Sequence, residues 1–233
     1  MPSLLQKVSA EFLGTFAFML IAAGSICADE YLRTTGQSSL GVLGFAIAHG
    51  LAYGILATAV GRISGGHLNP AVTIGFWVTR RLGTWRSLAY CVAQLLGAFA
   101  ACYLLLAILP ESVWAPAGLG APELSPDFTR LHGMALEALL TFVLVFVVFA
   151  TSVDAQSASR KLAGIAAGLT VTVGFLVGYP FTGAAMNPAR ALGPAIAAHR
   201  WQNHGVYWVG PLLGGVLAAV IYDRLYLRDQ PPA

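Results

Sequence analysis

The 233-residue chain is predicted to be an all-α membrane protein with six transmembrane helices plus two half-helices in an inverted 3+3 repeat. Two observations predict that class. The composition is 57% hydrophobic and 10% charged, whereas a soluble domain carries about 25% charged residues. An Asn-Pro-Ala tripeptide also occurs twice, from Asn69 to Ala71 and from Asn187 to Ala189, each time inside a short apolar segment.

Six segments are long and apolar enough to cross a bilayer, which needs about 20 residues for about 30 Å of hydrocarbon. Four of them lie in long gaps between charged residues, and the other two each contain one carboxylate, Glu11 or Glu137. The predicted spans lie within residues 8–28, 34–61, 87–110, 134–152, 162–189 and 201–222.

Two further apolar segments, residues 64–79 and 181–198, are too short to cross alone. Each has a stretch of small residues followed by Asn-Pro-Ala. Asparagine is a strong N-cap and proline suits the first helical position. Each segment is therefore expected to hold a helix of roughly ten residues, or about 15 Å. That length is half a membrane, so each helix is predicted to begin near mid-bilayer.

The two halves of the chain are predicted to be copies of one unit. Each intramembrane glutamate is followed four residues later by Thr-Phe, and each half contains one Asn-Pro-Ala segment. Three spans per unit make the second copy enter the membrane from the opposite side, as inverted repeats do. We expect one channel domain over residues 1–233, with repeat one over 1–110, an extracellular loop over 110–130 and repeat two over 131–233.

The distribution of lysine and arginine predicts that both termini are cytoplasmic. Nine of the thirteen basic residues would then face the cytoplasm, namely Lys7, Arg62, Arg80, Arg81, Arg86, Arg160, Lys161, Arg224 and Arg228. The other four, Arg33, Arg130, Arg190 and Arg200, would lie outside or at membrane depth. We expect an integral, multi-pass protein of a plasma (bacterial inner) membrane.

The two asparagines are predicted to bind the transported molecule. A helix that begins inside the bilayer leaves unpaired N–H groups and a partial positive charge there, and such an end must face protein or a water-filled cavity. If the side-chain oxygens of Asn69 and Asn187 cap their own helices, their NH2 groups become fixed donors in the cavity. Two donors and two positive helix ends favour a neutral molecule with a lone pair, such as water, over a cation.

Residues 65–73 (GGHLNPAVT) and 182–190 (TGAAMNPAR) resemble the paired signature of the aquaporin, or major intrinsic protein, family. The resemblance runs over nearly the whole chain. It implies six tilted helices plus two half-helices, one water-conducting pore per subunit and a homotetramer. It also implies that Pro70 and Pro188 open the half-helices and that Glu11 and Glu137 support the neighbouring loops structurally. The carbonyls of Gly65, Gly66, His67, Gly183, Ala184 and Ala185 are implied to line the pore.

Counted from the two asparagines, the resemblance places a selectivity filter on His49, Phe175, Ala184 and Arg190. A histidine in the second span with a small residue at position 184 is similar to the ammonia-permeable and tonoplast-type branch. Phe175 departs from the usual aliphatic residue of that branch and is expected to narrow the opening. Glycerol facilitators typically place aspartate after the filter arginine, and the alanine at position 191 favours water over glycerol.

Three alternatives remain open. A glycerol or small-solute facilitator fits the paired motif, and a secondary transporter also uses inverted repeats with broken helices. A non-conducting junctional protein would have only the 110–130 segment as a binding surface. No nucleotide loop, metal cluster or activated nucleophile is recognisable in the sequence, and the three cysteines lack metal-site spacing. We therefore expect no enzyme activity, cofactor, metal or nucleic-acid partner, and we expect water, small neutral solutes and lipid as partners.

Overall fold

The computed structural model describes residues 2–154, 156–158 and 160–227. Within those residues the chain forms nine α-helices and no strand. They are α1 (Leu4–Thr34), α2 (Gly41–Ser64), α3 (Pro70–Val78), α4 (Thr84–Ile108), α5 (Glu111–Ala117), α6 (Arg130–Val148), α7 (Ala163–Thr182), α8 (Pro188–Ala197) and α9 (Val206–Tyr226). Two 3-10 turns, Gly118–Gly120 and Arg160–Leu162, and a π-helical turn, Phe149–Val153, are also present. Arg228 lies outside the described residues.

Six of the described helices are long and apolar enough to cross a membrane, namely α1, α2, α4, α6 with its π-helical turn, α7 with the preceding 3-10 turn, and α9. They confirm the six predicted spans, and the chain is an integral, multi-pass membrane protein. The helix of the first span continues beyond residue 28, where the predicted apolar stretch ends. α1 has 31 residues, which is roughly 46 Å at 1.5 Å per residue. Its last turns therefore extend past the hydrocarbon, where Arg33 pairs with Glu30 at 2.6 Å.

The helices pack as two interlocked copies of one arrangement. α1 packs on α4 in the first half as α6 packs on α9 in the second, and α2 packs on α7. Each half-helix crosses into the other half, because α3 packs against α9 and α8 packs against α4. This exchange brings the two short helices into the middle of the bundle.

Glycines permit the closest helix contacts at matching places in the two halves. A Cβ at Gly97 in α4 would lie 2.5 Å from the carbonyl oxygen of Phe12 in α1. A Cβ at Gly214 in α9 would collide with the carbonyl oxygen of Ala138 in α6. Small residues at helix interfaces let backbones approach closely in membrane proteins. The close approach of α1 to α4, and of α6 to α9, narrows the space that the two half-helices share.

The two half-helices begin as the sequence predicts. α3 has nine residues and α8 has ten, and each starts with proline at its first position. Asn69 and Asn187 are the N-caps, with extended backbones at φ −156° and −154°. The side-chain oxygen of Asn69 accepts from the N–H of Ala71 at 2.8 Å, and that of Asn187 accepts from the N–H of Ala189 at 2.9 Å. The predicted fold class is confirmed.

The stretch between α4 and α6 differs from the loop that the sequence predicts. α5 occupies part of it, and Leu119, just after α5, is fully buried. Further on, the N–H of Ser125 donates to the carbonyl of Phe181 at 2.8 Å, and the rings of Phe128 and Phe181 stack with centroids 5.0 Å apart. The segment lies against the end of α7 because its apolar side chains find partners there. These side chains follow no regular period in the sequence, so their contacts are not visible in it.

Candidate functional site

A buried glutamate holds the loop that precedes the first half-helix. Glu11 in α1 is fully buried. One carboxylate oxygen accepts from the hydroxyl of Ser64 at 2.6 Å and from the N–H of His67 at 3.0 Å. The other accepts from the N–H of Leu68 at 2.8 Å. Hydrogen bonds to an ionised acceptor are about twice as strong as neutral ones, so Glu11 fixes the loop that leads into α3.

Glu137 in α6 has the same role in the second half. It is fully buried, and one oxygen accepts from the hydroxyl of Thr182 at 2.7 Å and from the N–H of Ala185 at 2.9 Å. The other oxygen accepts from the N–H of Met186 at 2.8 Å. The three donors lie at the same distances in sequence from Asn187 as the donors to Glu11 lie from Asn69. The internal repeat therefore extends to individual hydrogen bonds.

The residue before each asparagine has a strained backbone. Leu68 and Met186 have φ of 49° and 50°, in the left-handed region that costs an L-residue about 1–2 kcal/mol. Both N–H groups donate to a glutamate oxygen. The carboxylates thus hold each loop in a conformation that it would not adopt alone, and this conformation delivers the asparagine to the centre of the bundle.

The two asparagines brace each other's loops. The amide nitrogen of Asn69 donates to the carbonyl of Met186 at 2.8 Å, and that of Asn187 donates to the carbonyl of Leu68 at 2.9 Å. An amide nitrogen has two hydrogens, so each asparagine retains a second N–H. The whole NH2 group was predicted to be free, but one of its two hydrogens joins the two half-helices.

A small cavity lies between the half-helices. Its volume is about 10 Å³, which is the room that a single water needs. It is lined by Phe18, His49, Tyr53, Asn69, Leu144, Val171, Phe175, Ala185, Met186, Asn187 and Arg190. Both asparagines and three of the four predicted filter residues therefore surround the same space.

Of the predicted filter residues, His49 and Arg190 both lie against Phe175, and all three are at most 2% exposed. The ring centroids of His49 and Phe175 are 4.0 Å apart, and the guanidinium carbon of Arg190 lies 5.3 Å from the Phe175 centroid. Nδ1 of His49 lies 2.7 Å from the carbonyl oxygen of Phe45. A carbonyl only accepts, so Nδ1 carries the hydrogen and Nε2 of the neutral ring is an acceptor.

Arg190 presents a donor at the same filter. Its Nη1 is buried and has no hydrogen-bond partner within the described part of the chain. A buried donor without a partner costs about 1–3 kcal/mol, and more when it is charged. The filter therefore combines an acceptor on His49 with an unsatisfied cationic donor, and a small polar neutral molecule can satisfy both.

The other predicted pore residues divide into two groups. Gly183 and Ala184, at the end of α7, are buried, but neither lines the small cavity. Gly183 packs against Pro122, which lies in the stretch between α5 and α6. The N–H of Ala184 donates to the hydroxyl of Thr182 at 3.2 Å. Gly65, Gly66 and His67 line a second, larger cavity instead.

This larger cavity, called here the inner vestibule, has a volume of about 590 Å³. It is lined by Tyr53, Ala57, Thr58, Gly61, Arg62, Gly65, Gly66, His67, Val72, Phe76, Val148, Ser152, Arg160, Lys161, Ala163, Gly164 and Ala167. Tyr53 lines both cavities, so its ring lies where they adjoin. Its hydroxyl donates to the carbonyl of His67 at 2.7 Å, which occupies one acceptor position of a carbonyl that the sequence analysis assigned to the pore.

Sequence reasoning missed several polar residues around Glu11. Nε2 of Gln94 donates to Glu11 at 2.8 Å and to the hydroxyl of Thr73 at 2.9 Å. That hydroxyl lies 3.1 Å from Nδ1 of His67. Isolated polar residues in apolar spans carry no local signal of their partners. Ser64 and Thr182 do carry such a signal, because each lies five residues before an asparagine of the repeat.

The fold and the paired loops define a membrane channel of the inverted-repeat class. The chain belongs to the major intrinsic protein family, whose family model, described as "Major intrinsic protein", matches residues 1–222. The resemblance noted in the sequence is thereby confirmed.

Individual relatives agree with that membership. The chain is 41% identical over 240 residues to a probable aquaporin TIP3-2 of Arabidopsis thaliana, covering 99% of this chain and 88% of that protein. It is 43% identical over 225 residues to aquaporin TIP4-4 of Zea mays, covering 96% and 88%. Its fold is similar to the X-ray structure of the aquaglyceroporin from Plasmodium falciparum, with a TM-score of 0.81 at 24% identity over 96% and 97% of the two chains.

Proposed function

We propose that the chain is a passive channel for water that also admits ammonia or similarly small neutral solutes and excludes protons and ions. The observation that carries the proposal is the pair of asparagines, each with one N–H to spare, around a cavity of about 10 Å³. Relatives named aquaporins support the same activity.

The asparagines orient the water that passes between them. Asn69 and Asn187 each offer a donor to the oxygen of one water, and that water then has no lone pair for a proton arriving from a neighbour. Each asparagine also caps a helix whose N-terminus carries a partial positive charge. A hydronium or metal ion between the two helix ends meets that charge and the guanidinium of Arg190. Protons and cations are thus excluded while water passes.

The filter selects by size and by hydrogen bonding. A permeating molecule accepts from Nη1 of Arg190 and donates to Nε2 of His49, and water and ammonia each do both. The ring of Phe175 lies against both residues and limits the opening. The small cavity has room for about one water, and glycerol with its three carbons is larger than one water, so a glycerol facilitator is the weaker alternative. Ala184 does not line the small cavity, and it contributes to the filter by its small size behind the residues that do.

The remaining parts of the site are proposed as scaffold. Glu11 and Glu137 hold the loops, and Pro70 and Pro188 start the half-helices. A coupled transporter needs an ionisable group exposed to its substrate, whereas both glutamates are fully buried and hydrogen-bonded to backbone N–H groups. We infer that they support a channel, and that the protein performs no enzymatic reaction and uses no cofactor.

We also propose the assembly and orientation. One channel domain contains both repeats, four copies form a homotetramer with one pore per subunit, and both termini face the cytoplasm. The inner vestibule then opens to the cytoplasm, because Arg62, Arg160 and Lys161 at its rim belong to the basic residues assigned there. The expectation of a plasma (bacterial inner) membrane comes from the sequence alone, and the TIP-type relatives do not support it.

The test is stopped-flow light scattering on proteoliposomes, with water, ammonia and glycerol measured in one reconstituted sample. We expect osmotic water permeability well above that of protein-free vesicles, a smaller gain for ammonia and none for glycerol. A carrier turns over too slowly to raise osmotic permeability noticeably, so water permeability equal to that of empty vesicles would refute the channel. A larger gain for glycerol than for water would favour the facilitator.

A further inference from the structure

The rim of the inner vestibule is basic and comes from two separate parts of the fold. Arg62 lies in the last turn of α2, and Arg160 and Lys161 lie in the 3-10 turn before α7. All three side chains line the same cavity. The lining contains no aspartate or glutamate, so nothing acidic within the cavity offsets these three positive charges.

None of the three charges belongs to an ion pair within the part of the chain that the structure describes. The ion pairs there are Arg33 with Glu30, Arg81 with Asp223 and Arg200 with Glu123. The buried carboxylate of Glu11 accepts four hydrogen bonds from other groups. A cleft lined by charge of one sign focuses its electrostatic potential and concentrates counter-ions. The vestibule is therefore a place where anions collect.

The vestibule is wide enough for a hydrated anion, and the passage beyond it is not. On the measure by which about 10–15 Å³ holds one water, the inner vestibule has a volume of about 590 Å³, so it holds a phosphate-sized ion with its water. The small cavity beyond Tyr53 has a volume of about 10 Å³. An anion attracted to the rim is stopped at Tyr53 and lies in the path of water.

We propose that the inner vestibule binds soluble anions that carry multiply charged phosphate groups, and that an occupied vestibule conducts water more slowly. Guanidinium groups match phosphate oxygens with paired hydrogen bonds, and lysine adds a point charge. The inhibition rests on the proposed water channel, whereas the binding does not.

The probe is inorganic pyrophosphate, present on both faces of proteoliposomes so that the orientation of the protein does not matter. We expect osmotic water permeability to fall severalfold as pyrophosphate saturates the site, relative to sodium chloride at equal ionic strength. The three rim side chains are exposed, so their attraction is screened by salt. The inhibition should therefore weaken as sodium chloride is raised at constant pyrophosphate.

Two triple variants separate the rim from general basic charge. Arg62→Gln/Arg160→Gln/Lys161→Gln should weaken pyrophosphate binding by about threefold or more, since three exposed ion pairs are lost and each changes affinity only a few-fold. Lys7→Gln/Arg80→Gln/Arg86→Gln removes three basic groups that do not line the vestibule and should bind as the parent does. The inference is overturned if pyrophosphate acts no differently from sodium chloride, or if both triple variants respond alike.

Calorimetry of the detergent-solubilised protein with pyrophosphate measures binding independently of transport. If the vesicles show no water permeability even without pyrophosphate, the proposed channel fails, and calorimetry still decides whether the rim binds the anion. Absence of heat with the parent protein would contradict the site.

Discussion

The two loops that deliver the asparagines share one plan and differ in how they are supported. In both loops, the backbone N–H of a residue in the left-handed region and a side-chain hydroxyl donate to a buried glutamate. Among the described residues, only the first loop gains further bonds, from Gln94 to the glutamate, from Tyr53 to the carbonyl of His67 and from the hydroxyl of Tyr90 to the carbonyl of Ser64 at 2.8 Å.

The second loop has fewer supports and a charged group without a partner. Tyr207 lies at the place in α9 that Tyr90 has in α4, yet its buried hydroxyl has no hydrogen-bond partner among the described residues. Arg190 takes the place that Val72 has in the first half, three residues after the asparagine. Buried polar atoms without partners occur in both halves, on Thr15 and Gln94 as well, but only the arginine is charged.

The difference separates structure from selectivity. What the two loops share builds the meeting point of the half-helices, and a passage for water needs nothing more. What only the second half has among the described residues, a buried cationic donor beside an aromatic ring, is proposed to select the molecules that pass. The first half is stabilised by its additional bonds. We therefore expect matched substitutions in the two halves to have different consequences.

The largest effect on stability is expected from removing the carboxylates. Glu137→Gln and Glu11→Gln each replace a charged acceptor of several hydrogen bonds by an amide, and each should lower the free energy of unfolding by about 3 kcal/mol. Thermal unfolding in detergent measures this loss. Only Glu137→Gln should also admit glycerol, because its loop positions Arg190. If glycerol passed through the Glu11→Gln variant and not through the Glu137→Gln variant, the proposed difference between the two loops would be wrong.

Arg190→Ala should have the next largest effect, and it acts on selectivity. Removing the guanidinium widens the filter and takes away its positive charge, so glycerol permeability should rise about tenfold, equivalent to roughly 1.4 kcal/mol of barrier. The control is Val72→Ala, at the matching position of the first half, which should leave the ratio of glycerol to water permeability unchanged. Equal ratios in both variants would refute the assignment of the filter.

Much of this arrangement was predictable because its signals are local. An apolar run of span length marks a transmembrane helix, and Asn-Pro marks the start of a helix wherever it lies. The positions of His49, Phe175 and Arg190 are implied by the family resemblance, which is aligned on the two asparagines. These three residues line one cavity because α2, α7 and α8 converge on it.

The rest was not predictable because it depends on contacts between distant segments. Gln94 and Tyr53 are single polar residues in apolar helices, and the partners of each are known only once the helices are packed. Leu119 is the one large side chain in a run of Ala, Pro and Gly over residues 115–122, yet it is fully buried. Each asparagine also uses one N–H for the opposite loop and keeps the other for the cavity. This could not be predicted, because it depends on how the two loops meet.

The smallest effect is expected from the matched tyrosines. Tyr90→Phe removes the hydrogen bond to the carbonyl of Ser64 and should cost about 0.5–1.5 kcal/mol. Tyr207→Phe removes a buried hydroxyl without a partner and should leave stability unchanged or slightly raised. Thermal unfolding of the two variants under identical conditions gives the comparison. A larger loss for Tyr207→Phe would show that its hydroxyl has a partner in the folded protein, such as a bound water.

The central claim is that Asn69 and Asn187 turn one N–H each toward a narrow, water-filled passage. An experimental density map of the lipid-reconstituted protein, at a resolution that shows ordered water, tests it most directly. We predict a water within hydrogen-bonding distance of both amide nitrogens, in a single file that continues past Tyr53 into the inner vestibule. Density for packed side chains or lipid there, with no water at either asparagine, would contradict the account.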